Sequence, residues 1–209
     1  MRASGEIGMR SRREICTKSS REQFVRSMQL RVIIICVLGF VIGCFISDAK
    51  AEYAGTVLAS KQNVEQSGTV YMQILRNTQG QPPHDPIRLA DAFMASAAKH
   101  GLDPVLLSAI GAVESNYYVG AVNSRSNDFG LMQINATNIK KLGLSKKRLL
   151  TDIEYSIEAG ASILAWFKSR YAKKEPRNWF CRYNWGTRNL KGVGGKICKK
   201  YAAKVRRRL

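Results

Sequence analysis

One carboxylate in this chain stands out for its setting. Glu114-Ser115 closes an almost wholly apolar stretch, Val105 to Val113, and Gly130-Leu131-Met132-Gln133-Ile134-Asn135 follows fifteen residues later. About fifty residues beyond lies Tyr183-Asn184-Trp185-Gly186. A carboxylate on so apolar a helix is desolvated, which favours its neutral form. It also sits in the last helical turn, where unsatisfied carbonyls repel an anion. Both effects raise its pKa, as a general acid working near neutral pH requires. Gln133 offers an amide donor and acceptor suited to sugar hydroxyls. An acid, a Gly-x-x-Gln turn and a Tyr-Asn pair, in that order, suit a glycan-cleaving cleft with a single catalytic carboxylate. The bland alternatives are a solvated Glu at a helix end, an ordinary loop at Gly130–Asn135, a half-buried Tyr183 and a turn Asn184. No metal-ligand cluster, phosphate loop or nucleophile triad competes in the sequence, so neither cofactor nor metal is expected.

The elements that must carry these residues are mostly helical. Asp85-Pro86 reads as an N-cap and first helical position, with the helix running to His100 and stopping at Gly101. Asp103-Pro104 repeats the signal, opening a helix over 105–113 with hardly any polar face, hence central and buried. Residues 116–128 read as a polar loop. Short helices follow over 137–142 and 146–150, and Asp152 caps a longer one reaching Tyr171. Another opens after Pro176, over about 177–182, and a basic one spans about 196–206. Strand signals are few. A short one at Thr69–Leu75 lies within 52–84, which reads as a linker or loosely docked arm ahead of a domain over 85–209.

The front of the chain has its own character. Val32 to Ile46 is an uncharged apolar run of fifteen residues, with Arg26 and Arg31 before it and Ala49-Lys50-Ala51 after it. That is the pattern of a cleaved secretory signal over 28–51, too short for a spanning helix. The expected mature start is Glu52, and export to the periplasm follows. Residues 1–27 make an unusually long leader, so Met28 is an alternative start. Val41-Ile42-Gly43-Cys44 opens a lipoprotein alternative with an anchor at Cys44. Membrane contact is expected only through that signal or anchor.

The net charge is +19, of which residues 1–51 carry nine Lys/Arg and four Asp/Glu, leaving 52–209 at +14. Such a field favours polyanions, and export makes nucleic acid the least suited of them. Only Cys181 and Cys198 fall within 52–209. An even count in an oxidising compartment suggests one disulfide, two free buried thiols being the alternative.

Glu114-Ser115, Gly130-Leu131-Met132-Gln133 and Tyr183-Asn184, with Ile157-x-x-Gly160-Ala161-x-x-Leu164 between, resemble the lytic transglycosylases with a soluble-lytic-transglycosylase catalytic domain. The similarity is greatest to the small exported type that accompanies type III and type IV secretion, pilus and conjugation machines. It covers about residues 85–190. The resemblance implies a mostly α, lysozyme-like domain with a cleft for peptidoglycan glycan strands, and machine subunits as further partners. It implies Glu114 as the sole catalytic acid/base at the bond between N-acetylmuramic acid and N-acetylglucosamine. The muramyl C6 hydroxyl is then the nucleophile, giving a 1,6-anhydro product, where the usual scheme needs two carboxylates. Ser115, Met132, Gln133, Tyr183 and Asn184 become the substrate-binding set, with the Tyr183 hydroxyl orienting Glu114.

The chain also departs from that pattern. Cys181-Arg182 precedes Tyr183 where a small apolar residue is usual, and Ser156 stands where Asn is frequent. Asp128-Phe129-Gly130-Leu131-Met132-Gln133 also resembles c-type lysozyme, so a two-carboxylate hydrolase using Glu114 and Asp128 is the alternative. Against it, the loop after Glu114 lacks β-hairpin signals. A non-catalytic, basic cell-wall-binding module is the third reading.

Overall fold

The computed structural model describes residues 47–209, with side chains from Leu58 onward. The leader, the apolar run Val32–Ile46 and the candidate anchor Cys44 lie outside the described residues, and the proposed cleavage point outside the described side chains. The chain divides into two units, Met1–Glu65 and Gln66–Leu209. No helix among the described residues is long and apolar enough to cross a membrane.

Helix α1 (Ser47–Asn77) carries the first correction. Thr69–Leu75 is helical, not a strand, and Val70 and Ile74 are wholly buried, with Tyr71, Gln73 and Thr78 buried beside them. Positions 70, 74 and 78, with 71 and 73, form one stripe of a 3.6-residue helix. Thr69, Val70 and Tyr71 favour strands in isolation, and tertiary burial overrides that preference. The Gln73 amide donates to the backbone carbonyls of Val105 (3.1 Å) and Arg208 (2.9 Å). Asn77 donates to the Arg208 carbonyl (3.1 Å) and to the Tyr117 hydroxyl (3.0 Å). The segment read as an arm therefore supplies core from Val70 onward.

Helices α2 (Pro86–His100) and α3 (Pro104–Ser115) begin as their Asp-Pro signals dictate. Asp85 accepts from the Ile87 amide, and Asp103 accepts from those of Val105 and Leu106. Gly101 ends α2 with φ 60°, in the left-handed region open to glycine. Leu107, Ala109 and Ile110 are wholly buried, so α3 is the central helix. A three-stranded antiparallel sheet follows: β1 (Val122–Asn123), β2 (Asp128–Phe129) and β3 (Ile134–Asn135), in that order. Asn123 pairs with Asp128, and Asp128 with Asn135. This corrects the expectation of a loop without a hairpin. Strands of two residues are too short for alternation to register in a sequence.

Helices α4 (Ala136–Leu142), α5 (Lys146–Thr151) and α6 (Ile153–Tyr171) come next. The buried face of α6, with Ile157, Ala161 and Leu164 wholly enclosed, packs chiefly on α2. A 3-10 turn (Trp179–Cys181) runs into the short α7 (Arg182–Trp185), and α8 (Val193–Arg206) lies against α3 and α7. The expectation of a mostly α domain holds.

Candidate active site

Glu114 ends α3, and the chain reverses immediately after Ser115. Asn116 and Tyr117 are both left-handed, with φ 53° and 67°. Such a pair of non-glycine residues persists only where surroundings over-determine it, as they often do at functional sites. Here the Tyr117 ring is wholly buried, edge-on to Phe93 at 5.9 Å. Its hydroxyl accepts from Asn77 and lies 3.2 Å from Ser108 Oγ. Nothing in the sequence singled out Tyr117.

Ser115 Oγ donates to the Leu131 carbonyl at 2.7 Å, tying the end of α3 to the Gly130–Gln133 turn. Gly130 has φ 81°, and a side chain there would strike the Leu149 carbonyl and Ser156 Oγ. The turn thus sits hard against the start of α6. The Gln133 amide donates to the carbonyls of Ala121 (3.2 Å) and Gly130 (2.9 Å). Its donors hold the sheet, and its side-chain carbonyl is what remains for a ligand.

Two expected roles change. Met132 is wholly buried, its side chain pressed on Gly160 of α6, so that side chain supports the turn from within the core. The Tyr183 hydroxyl donates to the Met132 carbonyl at 2.8 Å, not to Glu114. The hydroxyl on Glu114 Oε1, at 2.5 Å, belongs to Tyr201 of α8. Tyr201 was missed because it looked like one residue of a basic helix. The one available signal was its place on the apolar stripe Cys198, Tyr201, Ala202 and Val205, all buried. Asn184 is exposed beside the half-buried Tyr183.

Burial is the main reason that the Glu114 pKa rises from 4.5 to about 7. The Tyr201 hydroxyl opposes the rise, Asp128 adds to it and Lys204 opposes it. The carboxyl is deeply set, yet the residue keeps a face to solvent. The hydroxyls of Tyr183 and Tyr201 are both pushed well above 10, first by burial and then by Glu114. Both remain protonated donors at neutral pH.

Asp128 lies on β2, so the hairpin whose absence counted against a second carboxylate is present. Both its oxygens are engaged: Oδ2 accepts from Ser126 Oγ (2.5 Å) and Oδ1 from the Asn135 amide (2.9 Å).

The unusual Cys181-Arg182 also finds its reason. Arg182, 6% exposed, forms a two-pronged ion pair with Glu175 and lies 4.2 Å over the Tyr171 ring. Its remaining nitrogen donates to the carbonyls of Gly186 (3.3 Å) and Arg188 (2.7 Å). A buried guanidinium thus fixes the turn that carries Tyr183-Asn184. Cys181 is bonded to Cys198, with Cα atoms 5.1 Å apart. That bond joins the Tyr183 segment to α8 one turn before Tyr201.

A helical core around a buried central helix, a small sheet after it and a raised-pKa acid at the helix end define a lysozyme-like domain. Comparison with known proteins narrows this. Residues 91–204 match the Transglycosylase SLT domain family. The chain is 35% identical over 124 residues to invasion protein IagB of Salmonella typhimurium, an overlap spanning 56% of this chain and 73% of that protein. It is likewise 35% identical to the IagB of Salmonella typhi, over 56% of this chain and 73% of that one. With protein IpgF of Shigella flexneri the identity is 31% over 127 residues, covering 57% and 79%. The chain belongs to the Transglycosylase SLT domain family and is a lytic transglycosylase, with peptidoglycan the substrate that family implies.

Proposed function

We propose that Glu114 alone is the acid and base of this enzyme, cleaving the bond between N-acetylmuramic acid and N-acetylglucosamine and leaving a 1,6-anhydro-muramyl end. The protonated carboxyl gives its proton to the glycosidic oxygen as the bond to the muramyl anomeric carbon breaks. The resulting carboxylate removes the proton of the muramyl C6 hydroxyl as that oxygen attacks the same carbon. The proton is returned to Glu114, and no water is consumed. A group that must be acid and then base within one turnover works best with a pKa near ambient pH.

The observation that carries this reading is Glu114 itself, buried at the end of its apolar helix and held by Tyr201, with a pKa of about 7. Ser126 and Asn135 tie the Asp128 carboxylate to the sheet and draw on its charge, which makes it a weaker nucleophile. In this reading Ser115 positions the Gly130–Gln133 turn, while the Gln133 carbonyl, Asn184 and the edge of Tyr183 meet sugar. The enzyme acts in the periplasm after removal of the leader, opening the wall for a secretion or conjugation machine. The apolar run at 32–46 and the name invasion protein carried by a relative support that setting.

Mass spectrometry of muropeptides released from purified sacculi tests the chemistry. Products one water lighter than those of a hydrolase, and none from Glu114→Gln, are expected. Reducing-end products together with an inactive Asp128→Asn enzyme would transfer the assignment to the two-carboxylate hydrolase.

A further inference from the structure

The turn that follows Glu114-Ser115 displays an aromatic ring for which the mechanism above has no use. Tyr118 is 52% exposed, beside a Tyr117 that is wholly buried. Behind it lies His84, parallel within 7° at a centroid separation of 6.0 Å. His84 is itself anchored, because its Nε2 accepts the Val119 amide at 3.1 Å. Burial, and then Arg88, lower the His84 pKa, which keeps that nitrogen free to accept.

The hydroxyl end of the ring also lies close against Gly120. A Cβ on Gly120 would stand 2.8 Å from the Tyr118 hydroxyl oxygen and 2.9 Å from its Cζ. Only a residue without a side chain lets the tyrosine rest there. Backbone bonds fix both ends of the turn: the Tyr118 amide donates to the Ser115 carbonyl (3.2 Å), and the Ala121 amide to the Tyr118 carbonyl (3.3 Å). The Ala121 carbonyl in turn receives the Gln133 amide (3.2 Å) and the Gly130 amide (2.9 Å). The ring therefore stands one turn of chain from Ser115, on a segment stitched to the Gln133 turn.

We propose that Tyr118, backed by His84 and seated on Gly120, is a sugar-stacking platform that binds one pyranose ring of the glycan strand beyond the residues flanking the cut bond. A β-linked pyranose presents a face of axial C–H bonds, and an aromatic ring presents a negative face to them. Tyrosine gives such a surface at small entropic cost, having two side-chain torsions, and here packing already restrains both. The platform rests on the glycan-cleaving reading, but it acts on binding and leaves the proton transfers to Glu114.

The test is calorimetric binding of soluble, uncross-linked peptidoglycan glycan strands by the full chain carrying Glu114→Gln, so that no bond is cut. Adding Tyr118→Ala should weaken binding by about five- to tenfold. Tyr118→Phe, which keeps the face and loses the hydroxyl, should stay within about twofold of the parent. Gly120→Ala, which lifts the ring, should fall towards the alanine value, with melting temperatures unchanged for the Tyr118 variants. In the active enzyme, Tyr118→Ala should raise KM and leave kcat nearly alone. Unaltered affinity in Tyr118→Ala, or a phenylalanine variant as weak as the alanine one, overturns the platform alone. Failure of the Glu114→Gln parent to bind the strands would remove the glycan reading and the platform with it.

Discussion

Replacing Glu114 by Gln should stabilise this protein at alkaline pH while abolishing its activity. In the unfolded chain the carboxyl ionises at its ordinary pKa of 4.5, and in the fold at about 7. Between those values the unfolded chain has released a proton that the folded one keeps. Stability of the wild type therefore falls as pH rises through that window, and is lowest, on this account, above about pH 7. At about 1.4 kcal/mol per tenfold, the gap sets an upper bound of about 3 kcal/mol on the cost of the buried charge. Glu114 keeps a face to solvent, which trims this to about 2 kcal/mol. Glutamine has the same shape and can still accept from the Tyr201 hydroxyl, but it never ionises. Urea unfolding of both proteins at pH 4.5 and pH 8 gives the comparison. The advantage of the variant should be near zero at the lower pH and about 2 kcal/mol at the higher one. An equal difference at both pH values, or a variant that loses stability as pH rises, would refute the argument that burial of this carboxyl sets its pKa.

Tyr201→Phe removes the hydroxyl that donates to the Glu114 carboxylate, so the Glu114 pKa should move upward from about 7. The limb of the pH–rate profile that reports it should shift by about one pH unit, with kcat reduced. Reduction of Cys181–Cys198, which closes a separation of 17 residues, should cost about 3 kcal/mol of stability and lower activity, read as melting temperature and turnover with and without reductant. Arg182→Met leaves Glu175 without its ion pair and the carbonyls of Gly186 and Arg188 without their donor. A loss of about 2–3 kcal/mol in denaturant unfolding is expected, and Arg182→Lys should not restore it because the two-pronged fork is gone.

Much of the fold was legible because local chemistry and tertiary structure agree. Asp85-Pro86 and Asp103-Pro104 each open a helix because the Asp side chain caps the first amides and Pro needs no donor there, and an apolar run such as 105–113 has nowhere to go but the core. Glu114 was legible for the same reason: its apolar helix alone predicts a raised pKa. What stayed hidden depends on distance along the chain. Tyr201 meets Glu114 across 87 residues, and the cause of its importance is that contact, not its own neighbourhood. Arg182 looked like a disturbance to the Tyr-Asn loop until Glu175, Tyr171 and two carbonyls gathered around it. Thr69–Leu75 misled because its residue types prefer strands, while the partners that settle the matter, Val105 and Arg208, lie far away in sequence.

The bonds from α1 to those two partners separate two quantities that are easily equated. Similarity to the family spans residues 91–204, and neither Gln73 nor Arg208 lies inside it. Yet Gln73 and Asn77 both grip the Arg208 carbonyl, and the Arg208 guanidinium returns a bond to the Asn77 carbonyl at 3.1 Å. Val70 and Ile74 fill the interior beneath them. The stretch that matches the family is thus shorter than the stretch that folds. A fragment cut at the edges of the resemblance would hold every residue of the chemistry and lack the clasp that closes the body around it.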